Sequence, residues 1–230
     1  MSCILSIEST TSVCSVALHQ SGNLLALMEL HQENVHSREL MLLVAQIMER
    51  SGISVEQLDA VAVSSGPGSY TGLRIGVSIA KGLAFAQDIP LIGVDTLKAL
   101  AKRAQSFVFG DSHIIPMLDA RRMEVYVTVF DKNLQVVSPL TPKVIENENP
   151  YMDLLEKGPV YFVGDGVAKL ENLLNHSNAM LLKLLPSAET VGFLAYDKFK
   201  EGVFEDLAYF EPNYLKDFRV ISAKKNLLLS

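Results

Sequence analysis

Residues 64–76 read Ser64-Ser65-Gly66-Pro67-Gly68-Ser69-Tyr70-Thr71-Gly72-Leu73-Arg74-Ile75-Gly76 and join a glycine-rich turn to a helix with apolar side chains on every side. The run before it, 58–65, is short and β-branched, so the stretch predicts a strand, a tight turn and a helix over 71–87. Gly66, Pro67 and Gly68 suit a turn that needs one fixed φ beside positions where only glycine is at ease. Ser69 or Thr71 can cap the first helical amides. Such a helix start can hold an anion, but the lysine and hydroxyl of a phosphate-binding P-loop do not follow the last glycine.

Working outward, the periodicity predicts strands at 3–9, 12–20 and 23–30, a helix at 36–51, the strand at 59–65 and the helix at 71–87. A strand at 90–94 and a polar helix over 96–105 follow, then a hinge at 106–112. The second half repeats the order. Strands at 113–119, 124–131 and 134–145 precede a helix at 150–157, a strand at 159–164 and helices at 168–175 and 187–201. Three meandering strands followed by α-β-α, written twice, predict a duplicated two-lobed α/β fold of the actin-like, Hsp70-like and sugar-kinase (ASKHA) architecture. The expected division is an N-terminal lobe over 1–105, a C-terminal lobe over 106–212 and a tail over 213–230. That architecture usually carries an acidic residue and a glycine for nucleotide phosphates in its first hairpin. Here the turn reads Glu8-Ser9-Thr10-Thr11-Ser12, with hydroxyls and no glycine, which weakens a nucleotide site. Glu8, Ser9, Thr10, Gly66, Pro67, Gly68, Ser69, Tyr70 and Thr71 are therefore expected to form a cleft or structural loop.

Two helices carry more apolar surface than one sheet can cover. Over 37–51, with Ser37 as the expected cap and Gly52 as the stop, Leu40, Met41, Leu42, Leu43, Val44, Ala45, Ile47 and Met48 spread around almost the whole circumference, whereas an outer helix needs a stripe of about 100°. The helix over 71–87 adds Leu73, Ile75, Val77, Ile79, Leu83 and Phe85, with Gly72, Gly76, Ala80 and Ala84 at every fourth position. Small residues at that interval let another helix approach closely. One reading buries both helices within the chain. The preferred reading makes them half of a four-helix interface with a second protein, burying roughly 1,600 Å² or more. Its expected contacts are Leu40, Met41, Val44, Met48, Gly72, Arg74, Ile75, Gly76, Ile79, Ala80 and Leu83. On this reading a charge at Ala80 disperses the assembly and spares the fold.

The bulk properties narrow the function. The chain has 230 residues, 49% of them hydrophobic, enough for substantial cores. No apolar run reaches the roughly 18 residues of a membrane span, and residues 1–9 lack a basic start and a cleavage site, so a cytoplasmic protein is expected. Cys3 and Cys14 are expected to be free and buried. A net charge of −6, from 20 basic and 26 acidic side chains, argues against a broad grip on a nucleic-acid backbone. Lys216, Arg219, Lys224 and Lys225 read as a solvated terminus or as a local RNA contact. The five histidines are scattered, and Ser69 directly follows Gly68, so no Gly-x-Ser-x-Gly elbow is formed. No catalytic residue and no metal site is expected. In the cluster Asp119-Ala120-Arg121-Arg122-Met123-Glu124 the readings are a solvated hairpin turn, or Asp119 and Arg121 facing the interlobe cleft.

The run over 65–76, with Lys81-Gly82-Leu83-Ala84, Gly93-Val94-Asp95-Thr96-Leu97 and Asp119-Ala120-Arg121 followed by Glu124-Val125-Tyr126, closely resembles the TsaB (YeaZ) family. The likeness is strong over about 3–130 and looser beyond, ending in Pro212-Asn213-Tyr214-Leu215-Lys216. It implies a non-catalytic subunit of the bacterial machinery that places threonylcarbamoyl on the tRNA adenosine beside the anticodon. The implied partners are the catalytic paralogue TsaD and the ATPase TsaE. A homodimer through the same helices is implied for the free chain, and tRNA is reached only through the complex. No cofactor is implied in this chain, with weak nucleotide binding conceivable at a subunit junction. In the paralogue a Val-Asn-His-Leu-Glu-Ala-His segment supplies two metal-binding histidines. Aligned on Val94, Thr96 and Leu100 stand at those places, and neither can replace an imidazole. A small-molecule kinase or ATPase is the rival reading, and a metallopeptidase the disfavoured one.

Overall fold

The computed structural model describes residues 2–32 and 35–215. Strands β1 (Cys3–Glu8), β2 (Val13–Gln20) and β3 (Asn23–His31) are followed by α1 (His36–Ser51), β4 (Ala60–Gly66), α2 (Tyr70–Gln87), β5 (Leu91–Asp95) and α3 (Thr96–Ala104). Then come β6 (His113–Asp119), β7 (Glu124–Asp131), β8 (Val136–Val144), α4 (Met152–Leu155), β9 (Val160–Val163), β10 (Ala179–Leu182) and α5 (Ala188–Glu201). The strands form two five-stranded sheets, ordered β3-β2-β1-β4-β5 and β8-β7-β6-β9-β10. In each, the first three strands are antiparallel, and the fourth and fifth add in parallel. The duplication predicted from the order of elements is therefore present strand for strand.

Burial explains the composition of the strands. β1 and β2 are buried along nearly their whole length because both sheet faces are covered, which gives continuous rather than alternating apolar runs. On one face α1 and α2 pack side by side over Leu5, Ile7, Val16, Leu18, Val61 and Val63. On the other, Val191 and Ala195 of α5 meet Ile4, Ala60, Ala62, Ile92 and Val94.

That second contact corrects the expected lobe boundary. Residues 188–201 fall within 106–212, yet α5 lies against the first sheet, with Ala188 N–H on Ser15 Oγ at 2.9 Å and Lys198 Nζ on the Gly93 carbonyl at 2.6 Å. Reciprocally, Leu97, Leu100, Ala101 and Ala104 of α3 bury against Ile114, Leu118, Phe130 and Val163 of the second sheet. Each half lends a helix to the other, because each sheet has two apolar faces to cover. The chain then returns along the first lobe as a strap. Glu205 N–H bonds the Leu91 carbonyl at 2.9 Å, Asn213 N–H bonds the Ser65 carbonyl at 2.7 Å, and Lys81 Nζ reaches the Ala208 and Phe210 carbonyls. Of the expected tail, 213–215 belong to this strap. Lys216, Arg219, Lys224 and Lys225 lie outside the described residues.

Local differences have local causes. Helix α1 starts one residue before Ser37, with Val35 at its N-cap and no side-chain cap; instead buried His36 Nε2–H donates to the Val13 carbonyl at 3.1 Å. Its end is as expected, at Gly52 with φ +68°, the left-handed stop that glycine adopts without strain. The helix expected at 168–175 is a 3₁₀ turn over Asp165–Lys169 followed by irregular turns, and β10 was not anticipated. Asn172, Asn175, Ser177 and Asn178 offer short polar side chains that compete for backbone groups. Asn178 Nδ2 indeed bonds the Leu155 carbonyl at 2.8 Å. The helix expected at 150–157 shortens to α4.

His19 on β2 has no exposed surface and meets Phe193 edge-on, 4.9 Å between ring centres. Burial pushes its imidazole down to about 4 from an ordinary 6.5. The folded state therefore prefers the neutral ring. The stability this provides is full above pH 6.5 and lost as pH falls towards 4, amounting to about 3 kcal/mol at 1.36 kcal/mol per pH unit. Urea unfolding of the wild type and His19→Gln from pH 7 to 4 is expected to show a shallower pH slope in the variant. The comparison is needed because burial pushes Glu8, Asp95 and Asp165 upward, which tilts stability the other way.

Candidate functional site

The glycine turn closes on the first hairpin. At the end of β4, Gly66 has φ +105°, and a Cβ there would stand 2.9 Å from the Asn213 carbonyl oxygen. The Gly66–Pro67 peptide is cis. Ser69 caps α2, accepting from Gly72 N–H at 3.3 Å, and its own N–H bonds the Thr10 carbonyl at 2.7 Å. A Cβ at Gly72 would lie 1.9 Å from the Ser9 carbonyl oxygen, at Gly76 2.3 Å from Ser9 Oγ, and at Gly68 2.5 Å from Thr10 Cβ. Ser9 Oγ completes the junction by donating to the Gly72 carbonyl at 2.9 Å. These glycines let the chain approach itself, and Ser9 and Thr10 fill the space beside them.

Glu8 is fully buried at this junction. Its Oε1 accepts from Thr10 N–H at 2.6 Å and Thr10 Oγ1–H at 2.5 Å, and Oε2 accepts from the Ser64 hydroxyl. Burial raises its carboxyl above the ordinary range, against the pull of these donors. A phosphate would need open amides and a cationic or neutral lining; this corner offers a carboxyl group already bonded by its own chain. Thr71 is exposed on the first turn of α2, and Tyr70 is half-buried.

The stripe of small residues points inward, a correction to the expected interface. Gly72 and Gly76 meet Ser9, while Ala80 and Ala84 are wholly buried in the first core. Leu40, Val44 and Met48 of α1 are buried there too. Residues 72, 73, 76, 77, 80 and 84 form one helical stripe, the width that a sheet demands, so they cannot meet a second protein. The opposite stripe remains. Met41 and Leu42 are 48% and 51% exposed on α1, and Phe85 is 78% exposed on α2. Ile75, Ile79 and Leu83 are half-buried along its flank, and Arg74 is exposed. Of the expected contacts, Met41, Arg74, Ile75, Ile79 and Leu83 thus retain an outer surface. Leu42 and Phe85 were not among them, although the spacing 71-74-75-78-82-85 places Phe85 on the outward side.

Asp119 organises a turn within the second lobe. Its Oδ1 accepts from Arg121 N–H at 2.5 Å and from Lys169 Nζ at 2.7 Å, and its N–H donates to Asp165 Oδ1 at 2.9 Å. Arg121 and Arg122 both have left-handed φ, +64° and +50°, which makes the β6–β7 reversal tight. Among the described residues, no hydrogen bond or ion pair joins Asp119 or Arg121 to the Glu8 turn. Thr96 and Leu100 are buried. Among the described residues, no three His, Cys, Asp or Glu side chains come together as a metal-binding group.

Two sheets of identical strand order, exchanging helices, define a duplicated two-lobed α/β protein of the actin-like and sugar-kinase class, here with its first-hairpin acid bonded internally and an apolar face left on α1 and α2. The family model for TsaD, tRNA N6-adenosine threonylcarbamoyltransferase, matches residues 29–229. The tRNA threonylcarbamoyladenosine biosynthesis protein TsaB of Escherichia coli K12 is 32% identical over 224 residues, 93% of this chain and 94% of that protein. TsaB of Bacillus subtilis 168 is 32% identical over 167 residues, 70% of each. The structure of YeaZ from Pseudomonas aeruginosa superposes with a TM-score of 0.79 at 28% identity, covering 94% of this chain and all of that one. The chain belongs to the TsaB family of tRNA threonylcarbamoyladenosine biosynthesis proteins, within the wider TsaD group.

Proposed function

We propose that this chain is the non-catalytic subunit of a cytoplasmic tRNA threonylcarbamoyladenosine complex, pairing the outer face of α1 and α2 with the TsaD-type transferase. The observation that carries the reading is that Met41, Leu42 and Phe85 stand exposed on the outer side of two helices packed side by side, the kind of apolar surface that marks a protein interaction site. The same face would pair two copies when the transferase is lacking. The internally bonded Glu8 favours a scaffold over a small-molecule kinase or ATPase, whose phosphates would need that corner open. TsaE and tRNA would join through the assembled pair, and any nucleotide would sit at a subunit junction. Reconstitution from the transferase, TsaE, tRNA and substrates tests the reading. Product formation is expected to need this chain, and equal product with and without it would end the assignment.

A further inference from the structure

Helix α2 has two cations, and the chain treats them differently. Lys81 is held by the strap carbonyls of Ala208 and Phe210, both at 3.2 Å. Arg74 is exposed, yet it is held by an aromatic residue. Its Nη1 donates to the Tyr70 hydroxyl at 3.0 Å, and its guanidinium carbon stands 5.4 Å from the Tyr70 ring centre. Tyr214 of the strap packs against Tyr70 with the two rings tilted by 43°, 4.9 Å between centres. One residue earlier, Asn213 is bonded to Ser65. A side chain with many rotamers is thus fixed through a line running from the strap to Tyr214, Tyr70 and Arg74. Among the described residues, Arg74 makes no ion pair, and Ile75, Ile79, Leu83 and Phe85 continue the face beyond it.

We infer that Arg74 is a charge-recognition residue of the docking face, meeting one Asp or Glu carboxylate on the partner's helices, and that Tyr214 is the positioning residue that holds it ready. The inference rests on the pairing proposed above and names the chemistry of its partner. A guanidinium presents a planar fork that takes a carboxylate through two parallel bonds. Holding it in place beforehand removes much of the ordering cost of association. The apolar surroundings suit a protein side chain, and a chain of net charge −6 repels a polyanion such as tRNA.

Titration calorimetry of the complex with the transferase, at low and high salt, tests the inference. Arg74→Ala is expected to weaken binding about tenfold and Arg74→Glu about a hundredfold, as for a charge desolvated at an interface, with the wild type's salt dependence reduced. One Asp→Lys or Glu→Lys change on the transferase's docking helices should restore the Arg74→Glu chain. Tyr214→Ala should weaken binding about threefold to fivefold, the scale of one aromatic pair, with salt dependence kept, while Tyr214→Phe should bind normally. Urea midpoints equal to the wild type's guard against unfolding. The inference is overturned if Arg74→Glu binds as tightly as the wild type, if no acidic change on the transferase restores it, or if the loss is confined to tRNA retention by an intact pair. A wild-type chain that never binds the transferase overturns the pairing as well.

Discussion

A glutamate in place of Ala80 is expected to leave no stably folded first lobe. Ala80 has no exposed surface and packs among the side chains of the first core. An ionised carboxylate there has neither water nor a partner, which costs several kcal/mol, and its extra bulk adds about 1–3 kcal/mol of overpacking. Against a typical stability of about 5–15 kcal/mol, a loss of about 5 kcal/mol or more leaves little native protein. Far-UV circular dichroism and urea unfolding check this, with Ser78→Glu as the control. Ser78 is exposed on the same helix, so its variant should stay within about 0.5 kcal/mol of the wild type. The sequence alone suggests the reverse for Ala80, dispersal of an assembly with the fold intact. An unchanged urea midpoint for Ala80→Glu would mean that α2 presents its other side to the sheet.

The second large effect belongs to the outer face. Changing Leu42 and Phe85 together to aspartate is expected to spare the fold, because both side chains already stand largely in water. It is expected to abolish the pairing proposed with the transferase. Two apolar anchors at about 2 kcal/mol each amount to roughly a thousandfold in affinity. Calorimetry on the purified chains and light scattering of the mixture measure it, and threonylcarbamoyladenosine in tRNA from cells carrying the variant should fall in step. Full binding by a folded double variant would remove α1 and α2 from consideration as the docking face. Ala80→Glu and Leu42→Asp/Phe85→Asp thus separate inside from outside on the same pair of helices.

Much of the fold was legible because its signals are local. The glycine turn, its Ser69 cap and the Gly52 stop each depend on a few neighbouring residues, and the repeated order of strands and helices exposed the duplication. β10 was not legible, since Ala179–Leu182 is a strand only by lying parallel to β9. The lobe to which α5 belongs was equally hidden, because its partners Ile4, Ala60 and Ile92 are remote in sequence. At the site, an excess of apolar residues on two helices was readable, and its division between sheet and solvent was not.

By itself, then, the sequence determined the element order through α3, the duplication, the strand-turn-helix at 58–87 and the surplus of apolar surface on α1 and α2. These follow from periodicity and from backbone preferences that act over a few residues. Only the tertiary structure decided that Gly72 and Gly76 meet Ser9 rather than another protein, that Glu8 is bonded by Thr10 and Ser64, and that the strap reaches Arg74 through two tyrosines. Each of these depends on segments far apart along the chain coming within van der Waals or hydrogen-bond distance. Spacing in a sequence carries no record of which side of a helix finds its own sheet first.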